Sequence, residues 1–257
     1  MIKQHPPKRL MVIGAHPDDA EFNAGGLMQK WVNAGHQLMI LCLTDGSAGH
    51  HQHSPQSLRT IRRREASAAA NLLNAKLNIW DIADGTLEAT LELRHELITQ
   101  IRQYAPDLIV THRPADYHPD HRATAQLVQD ASYLLQVPSI VPKHAPLKTL
   151  PPVLLAWDRF TYPRPFKCDW VLDISDVVEQ VVGLLACHTS QVYEWLAHTQ
   201  KIEVPKHNRS QWLSQWYRQR PARIARDFAA HHIDYAEAYE VSEYGGKFDA
   251  AQLALPD

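Results

Sequence analysis

The sequence predicts an α/β fold, with a mostly parallel sheet carrying helices on both faces. Short, wholly apolar runs recur along the chain and read as strands buried on both sides. Segments with apolar residues at helical spacing separate them. Polar, histidine- and aspartate-bearing stretches follow several of the apolar runs, which places charge at the strand ends. Strands alternating with helices are the signature of parallel βαβ units. The 257 residues fit one domain, 1–257, and show no internal repeat.

Leu10–Ala15 reads as the first strand, and Gly25–Gly35 as a helix stopped by Gly35. Gln37–Thr44 is a second buried strand. The polar stretch Asp45–Gln56, with His50, His51 and His53, is a loop. Ser57–Leu73 is helical in composition, and Leu77–Ile82 is a third strand. Leu87, Leu91, Leu97, Ile98 and Ile101 mark one face of a helix over Leu87–Tyr104. Asp107–His112 is the fourth strand, and the next helix opens at His121 and runs to Leu135. Residues 9–135 form the regular half. Residues 137–257 form a C-terminal elaboration, loop-rich where prolines crowd 138–165. Within it, Val153–Asp158 and Trp170–Ser175 read as strands and Asp176–His198 as one helix. A further helix and a short strand, "EAYEVSE", follow Arg209.

Composition excludes several classes. The net charge is −2 and the one dense basic run is "RRRE" (Arg62–Glu65), which argues against a nucleic-acid binder. No apolar run approaches the ~18 residues of a membrane span. Three scattered cysteines without CxxC, and an N-terminal stretch without an apolar core, point to a reducing, cytoplasmic setting. The unusual count is 16 histidines, some clustered at His112, His118 and His121 and at His231 and His232.

In an open parallel sheet ligands bind beyond the carboxyl ends of the strands. "HPDD" (His16–Asp19) follows the first strand and "HPDH" (His118–His121) the fourth, so the two meet if those strands are neighbours. Taken singly, each reads equally well as a turn with a helix cap. Together they supply a His2Asp donor set: His16 and Asp19 from one tight bend, His121 from the other loop. Such a set suits catalytic zinc, with water in the remaining position. Asp18 is then free to act as general base. The same donors accept Fe2+, Co2+ or Mn2+.

"AHPDDAEFNAGG", "IRRREA" and "HPDH", in this order along residues 9–135, resemble the PIG-L/LmbE family of zinc-dependent N-acetylglucosaminyl deacetylases. The resemblance implies a Rossmann-like three-layer α/β/α fold and removal of an N-acetyl group from a small amino-sugar substrate. It implies His16, Asp19 and His121 as metal ligands and Asp18 as base. By the same resemblance a protonated His118 stabilises the oxyanion and protonates the leaving amine, Arg62 holds sugar hydroxyls, and Asp120 orients a neighbouring imidazole. A homo-oligomer is expected by family analogy. Many members read "HPDDE", whereas position 20 here is Ala and the acid is Glu21. "ACHTSQVYEWL" (Ala186–Leu196) resembles an H-x-SQ segment of some members, which would bring His188 to the substrate end; a helix-surface histidine is the alternative. The tryptophans of the second half, Trp157, Trp195, Trp212 and Trp216 among them, are expected mainly as core anchors.

Three rival functions remain. An amidase cleaving a larger acyl or thiol-conjugate amide would use the same metal site. A zinc-containing sugar-binding protein without activity would have no use for Asp18 and His118. A nucleotide-binding protein fits poorly, because Gly25-Gly26 follows an acidic turn and forms no GxGxxG.

Overall fold

Alternate residues of each central strand face opposite sides of the sheet, and both sides are apolar, so two helical layers are required to cover it. The computed structural model describes residues 6–229 and 232–255, which leaves His231 outside the described residues. The strands β1 (Arg9–Gly14), β2 (Gln37–Cys42), β3 (Lys76–Ile79), β4 (Leu108–Thr111), β5 (Val153–Ala156), β6 (Trp170–Asp173) and β7 (Ala236–Val241) form one sheet in the order β3-β2-β1-β4-β5-β7-β6. Pairings from β3 through β5 are parallel, and β7 runs antiparallel to both β5 and β6. The first and fourth strands are neighbours, with Leu10 opposite Leu108. The strand order reverses there, making the junction the expected ligand crevice.

Leu10, Val12, Ile40, Val110 and Leu154 point to one face, where α1 (Asp19–Asn33), α2 (Pro55–Leu72) and α5 (Val178–Ala186) cover them. Met11, Ile13, Leu41, Ile109 and Leu155 point to the other, under α3 (Leu91–Tyr104) and α4 (Pro119–Ser132). A satellite core joins α5 to α7 (Arg209–Phe228) through Val181, Leu185, Leu213 and Tyr217. None of the described helices is long and apolar enough to cross a membrane.

Two helical expectations are corrected. The first helix starts at Asp19, six residues before Gly25, and breaks at Ala24 (φ −146°, ψ 22°). Glu237 of β7 accepts hydrogen bonds from the backbone N–H groups of Gly26 (2.7 Å) and Leu27 (2.9 Å), capping the second half of the helix from another element. The glycine pair serves packing: a Cβ at Gly25 would fall 2.6 Å from Val181 Cγ1, and one at Gly26 would overlap Ile174. The expected long helix 176–198 is also divided. It ends at Ala186, resumes as a π-helical turn at Ser190–Trp195, and closes with α6 (Leu196–Gln200). Glu65 of α2 draws that segment inward, accepting from Ser190 N–H at 2.8 Å and from its hydroxyl at 2.6 Å.

Beyond β4, Arg102 of α3 donates to the carbonyls of Leu134, Leu135, Val137, Ile140, Val141 and His144, so one guanidinium organises the start of the proline-rich segment.

Candidate metal centre and active-site cleft

The carboxyl ends of β1, β4 and β5 and the loop after β3 open into a cleft of about 690 Å³. His16, Asp18 and Asp19 reach it from the turn after β1. Asp18 sits at φ 115°, in the left-handed region that a non-glycine residue enters only at some cost. Asp84 arrives from the loop after β3. Asp116, Tyr117, His118 and His121 arrive from the loop after β4, where His118 caps α4 and Pro119 occupies its first turn.

The three expected donors converge. His16 Nδ1 lies 3.3 Å from His121 Nε2 and 3.4 Å from the Asp19 carboxylate, and His121 Nε2 lies 3.4 Å from the other Asp19 oxygen. A tetrahedral ion with bonds of about 2.0–2.1 Å requires donor separations of about 3.3–3.4 Å. The two imidazoles meet that spacing, while Asp19 meets it with Oδ2 toward His16 and Oδ1 toward His121; the compact donor groups here include His16, His118 and His121, and Asp19, His112 and His121. The outer partners of His16 agree. His16 Nε2 faces Asp120 and Asp84, each at 3.1 Å, which holds a proton on that nitrogen and leaves the Nδ1 lone pair toward the cluster. His121 Nδ1 lies 3.1 Å from an Asp116 oxygen, within charge-pair distance but without hydrogen-bond alignment. Burial alone would depress the His121 imidazole, but Asp19 and Asp116 outweigh it and push it up to about 9. The cluster therefore attracts positive charge, whether proton or metal.

Asp18 stands beside the donors and turns Oδ1 to Arg62 Nη2 at 2.9 Å; Arg62 also donates to the Pro17 carbonyl. Burial pushes the Asp18 carboxyl up, opposed by Arg62 and assisted by Asp19. His118 accepts the Asp120 N–H at Nδ1 (3.2 Å), so the neutral ring carries its proton on Nε2. Burial, with His16 and His121 nearby, holds its basicity below the ordinary value.

His188 does not line the cleft. It is fully buried, with Nε2 3.4 Å from Glu21, which corrects the expectation of a substrate contact. Its near neighbour Gln191 lines the cleft in its place, with its amide on the Gly49 carbonyl at 3.1 Å. Arg62 borders the cleft but is engaged with Asp18 and Pro17. Trp157, Trp195 and Trp216 line the cleft, whereas Trp212 packs in the satellite core.

His50, His51 and His53 stay off the cleft. His50 and His53 gather with Glu194, but His50 Nδ1 accepts two backbone N–H groups, from Gln52 and His53. Its Nε2 is therefore protonated and bonds Glu194 at 3.0 Å, an arrangement unsuited to holding metal.

Sequence reasoning missed Asp84 and Asp116 as members of the site, and noted His112 only as part of a histidine cluster. Each lies just past a strand end, which is the signal that could have found them. His112 accepts the Ala15 N–H at 3.1 Å and stacks on His121 with ring centres 4.0 Å apart, bracing the cluster from behind.

The fold and this donor set define an α/β protein with a candidate metal site at the strand crossover. Residues 11–132 match the family model described as PIG-L: GlcNAc-PI de-N-acetylase. The chain is 31% identical over 193 residues to the diacetylchitobiose deacetylase of Thermococcus kodakarensis, covering 73% of this chain and 71% of that one. It is 27% identical over 206 residues to the 4-oxalmesaconate hydratase of Pseudomonas putida, covering 76% and 78%. Among solved structures, the N,N'-diacetylchitobiose deacetylase of Pyrococcus horikoshii superposes with a TM-score of 0.76 at 23% identity, over 92% of this chain and 84% of that one. The chain belongs to the PIG-L family.

Proposed function

We propose that this protein is a metal-dependent N-deacetylase that hydrolyses the acetamide of a GlcNAc-type amino sugar, or of its conjugate, to acetate and free amine. The observation that carries the reading is a carboxylate, Asp18, standing beside three convergent donors on the floor of a cleft large enough for a sugar. His16, Asp19 and His121 would hold the ion, and zinc suits this donor set. When bound, the ion supplies Lewis acidity and lowers the pKa of water toward ~7.

Asp18 takes a proton from the attacking water. Arg62 fixes one Asp18 oxygen, leaving the other for that transfer. His118 donates its Nε2–H to the carbonyl oxygen as negative charge develops there. Asp18 then passes its proton to the departing nitrogen.

The test is acetate release by the zinc-loaded protein across a panel of N-acetylglucosaminyl compounds. Asp18→Asn keeps the side-chain shape and a residue tolerant of positive φ. It is expected to retain stoichiometric metal and lose roughly 10²- to 10⁴-fold in turnover. A near-wild-type rate would remove Asp18 from the base role, and no acetate from any compound would overturn the deacetylase reading. The similarity to a hydratase favours a second reading, water addition to an unsaturated acid by the same base. Loss of conjugated absorbance without acetate release would select it.

A further inference from the structure

Charge in the cleft is segregated. The floor holds Asp18, Asp19, Asp84 and Asp116, answered by Arg62 and the imidazoles. A second wall, built from the loop after β5 and from α7, carries Arg159, Arg220 and Arg223. Arg113 is spoken for, pairing with Asp158 at 2.7 Å.

Arg220 is the informative member. It is half-buried, and its Nη2 donates only to neutral acceptors, Asn23 Oδ1 at 2.9 Å and the Trp157 carbonyl at 3.0 Å. Its guanidinium lies 4.9 Å from the Trp157 ring centre, and that of Arg223 lies 6.0 Å from the same ring. Glu237 and the Oδ1 of Asp158 are engaged elsewhere. Glu237 accepts from Gly26, Leu27 and the Tyr239 hydroxyl, and Asp158 Oδ1 from Arg113 and Phe160 N–H. Burial holds the Arg220 guanidinium below its usual value despite these acids. Arg223 reaches Asp227 only at 3.4 Å on the exposed helix surface, and Arg159 is exposed. A partly dehydrated cation facing a cleft without a carboxylate partner is costly unless a ligand supplies one. One further atom is unanswered: Asp158 Oδ2 is buried with no hydrogen-bond partner.

We propose that this wall is an anion subsite. Arg220, supported by Arg223 and Arg159, binds a carboxylate or phosphate on the part of the substrate remote from the scissile bond. A guanidinium fork matches both anions with two parallel hydrogen bonds. Indole faces beside the cations cover the apolar side of a sugar ring. The substrate is then an acidic or phosphorylated amino-sugar conjugate rather than a neutral oligosaccharide. The amino-sugar part of this statement rests on the deacetylase reading; the anion subsite does not.

Two measurements on the metal-loaded protein decide it. In the first, inorganic phosphate and malate are titrated calorimetrically against wild type, Arg220→Met and Arg220→Lys. Binding is expected to weaken about 10- to 100-fold in Arg220→Met and by less in Arg220→Lys, which keeps the charge but not the fork. Equal affinity in all three would assign the anion to the metal and overturn the proposal. In the second, kcat/KM for acetate release is compared for the 6-phosphate of N-acetylglucosamine, its malate glycoside and its neutral methyl glycoside. The anionic-to-neutral ratio is expected to be at least about 10 in wild type, to approach 1 in Arg220→Met, and to fall with added salt. The larger of the two anionic ratios identifies the group. A wild-type ratio near 1, or one unchanged in Arg220→Met, overturns the proposal. Arg223→Gln, at an exposed position, serves if Arg220→Met lowers the melting temperature, and its ratio is expected to fall several-fold. Acetate released from none of the sugars would sink the deacetylase reading, and the titration would still decide the subsite.

Discussion

Replacing Asp120 by Asn tests whether the metal cluster is oriented from outside. Asp120 is fully buried, and its Oδ2 serves His16 Nε2 at 3.1 Å and the Gly85 N–H at 2.7 Å, while Oδ1 takes the Leu87 N–H at 3.2 Å. All three neighbours are donors. An isosteric amide has one acceptor and one donor end, so either orientation sets an NH2 against an N–H. The less damaging choice keeps oxygen on His16 and Gly85 and spoils the longer bond to Leu87, at a cost of about 1–3 kcal/mol. His16 also loses the negative charge that makes Nδ1 a strong donor. Metal affinity is therefore expected to fall about 10- to 100-fold, with the fold retained. Competition against a chromophoric chelator measures the affinity, and thermal unfolding of the metal-free protein measures the structural cost. An affinity within twofold of wild type would refute the orienting role. A metal-free protein that no longer unfolds cooperatively would show the residue to be structural first.

Glu65→Ala removes the acceptor for both Ser190 groups and is expected to cost about 2–3 kcal/mol in denaturant unfolding. It is also expected to raise KM more than it lowers kcat, because Gln191 and Trp195 lose their mooring; an unchanged KM would separate the π-helical turn from substrate binding. Arg102→Met strands several carbonyls at once. It is expected to cost at least about 3 kcal/mol, or roughly 6–12 °C in melting temperature, with early protease cleavage between residues 137 and 147. A shift below about 2 °C would mean that the prolines hold this segment unaided.

The strands from β1 to β4 were legible because each is an unbroken apolar run, and burial on both faces leaves little else for such a run to be. The insertion of β7 between β5 and β6 was not. Antiparallel pairing across that distance in sequence leaves no local mark, and "EAYEVSE" resembles any half-polar strand. Gly25-Gly26 was misread as a helix boundary because glycine signals both chain reversal and close approach, and only Val181 and Ile174 reveal which applies. Residues 176–198 look helical throughout; the break comes from Glu65 on another element, outbidding the local preference.

The candidate centre was conspicuous because His16, Asp18 and Asp19 fall within four positions, as do His118 and His121. Their supports were less so. Asp84 and Asp116 matter only once the sheet order brings three loops to one point. His188 shows the converse: a histidine in a suggestive segment turned inward to meet Glu21.

Helix α2 carries Arg62 and Glu65 nearly one turn apart, the first gripping Asp18 and the second gripping Ser190. The proposed base and the cleft-lining segment around Gln191 thus hang from a single short stretch of helix. A chimera built by exchanging the C-terminal third with that of a relative would keep its chemistry only if the incoming segment brought a serine in register with Glu65. On the proposed function, specificity in this chain is not a detachable module; it is inherited jointly with the turn that carries Asp18, through four residues that no single cut between the halves keeps together.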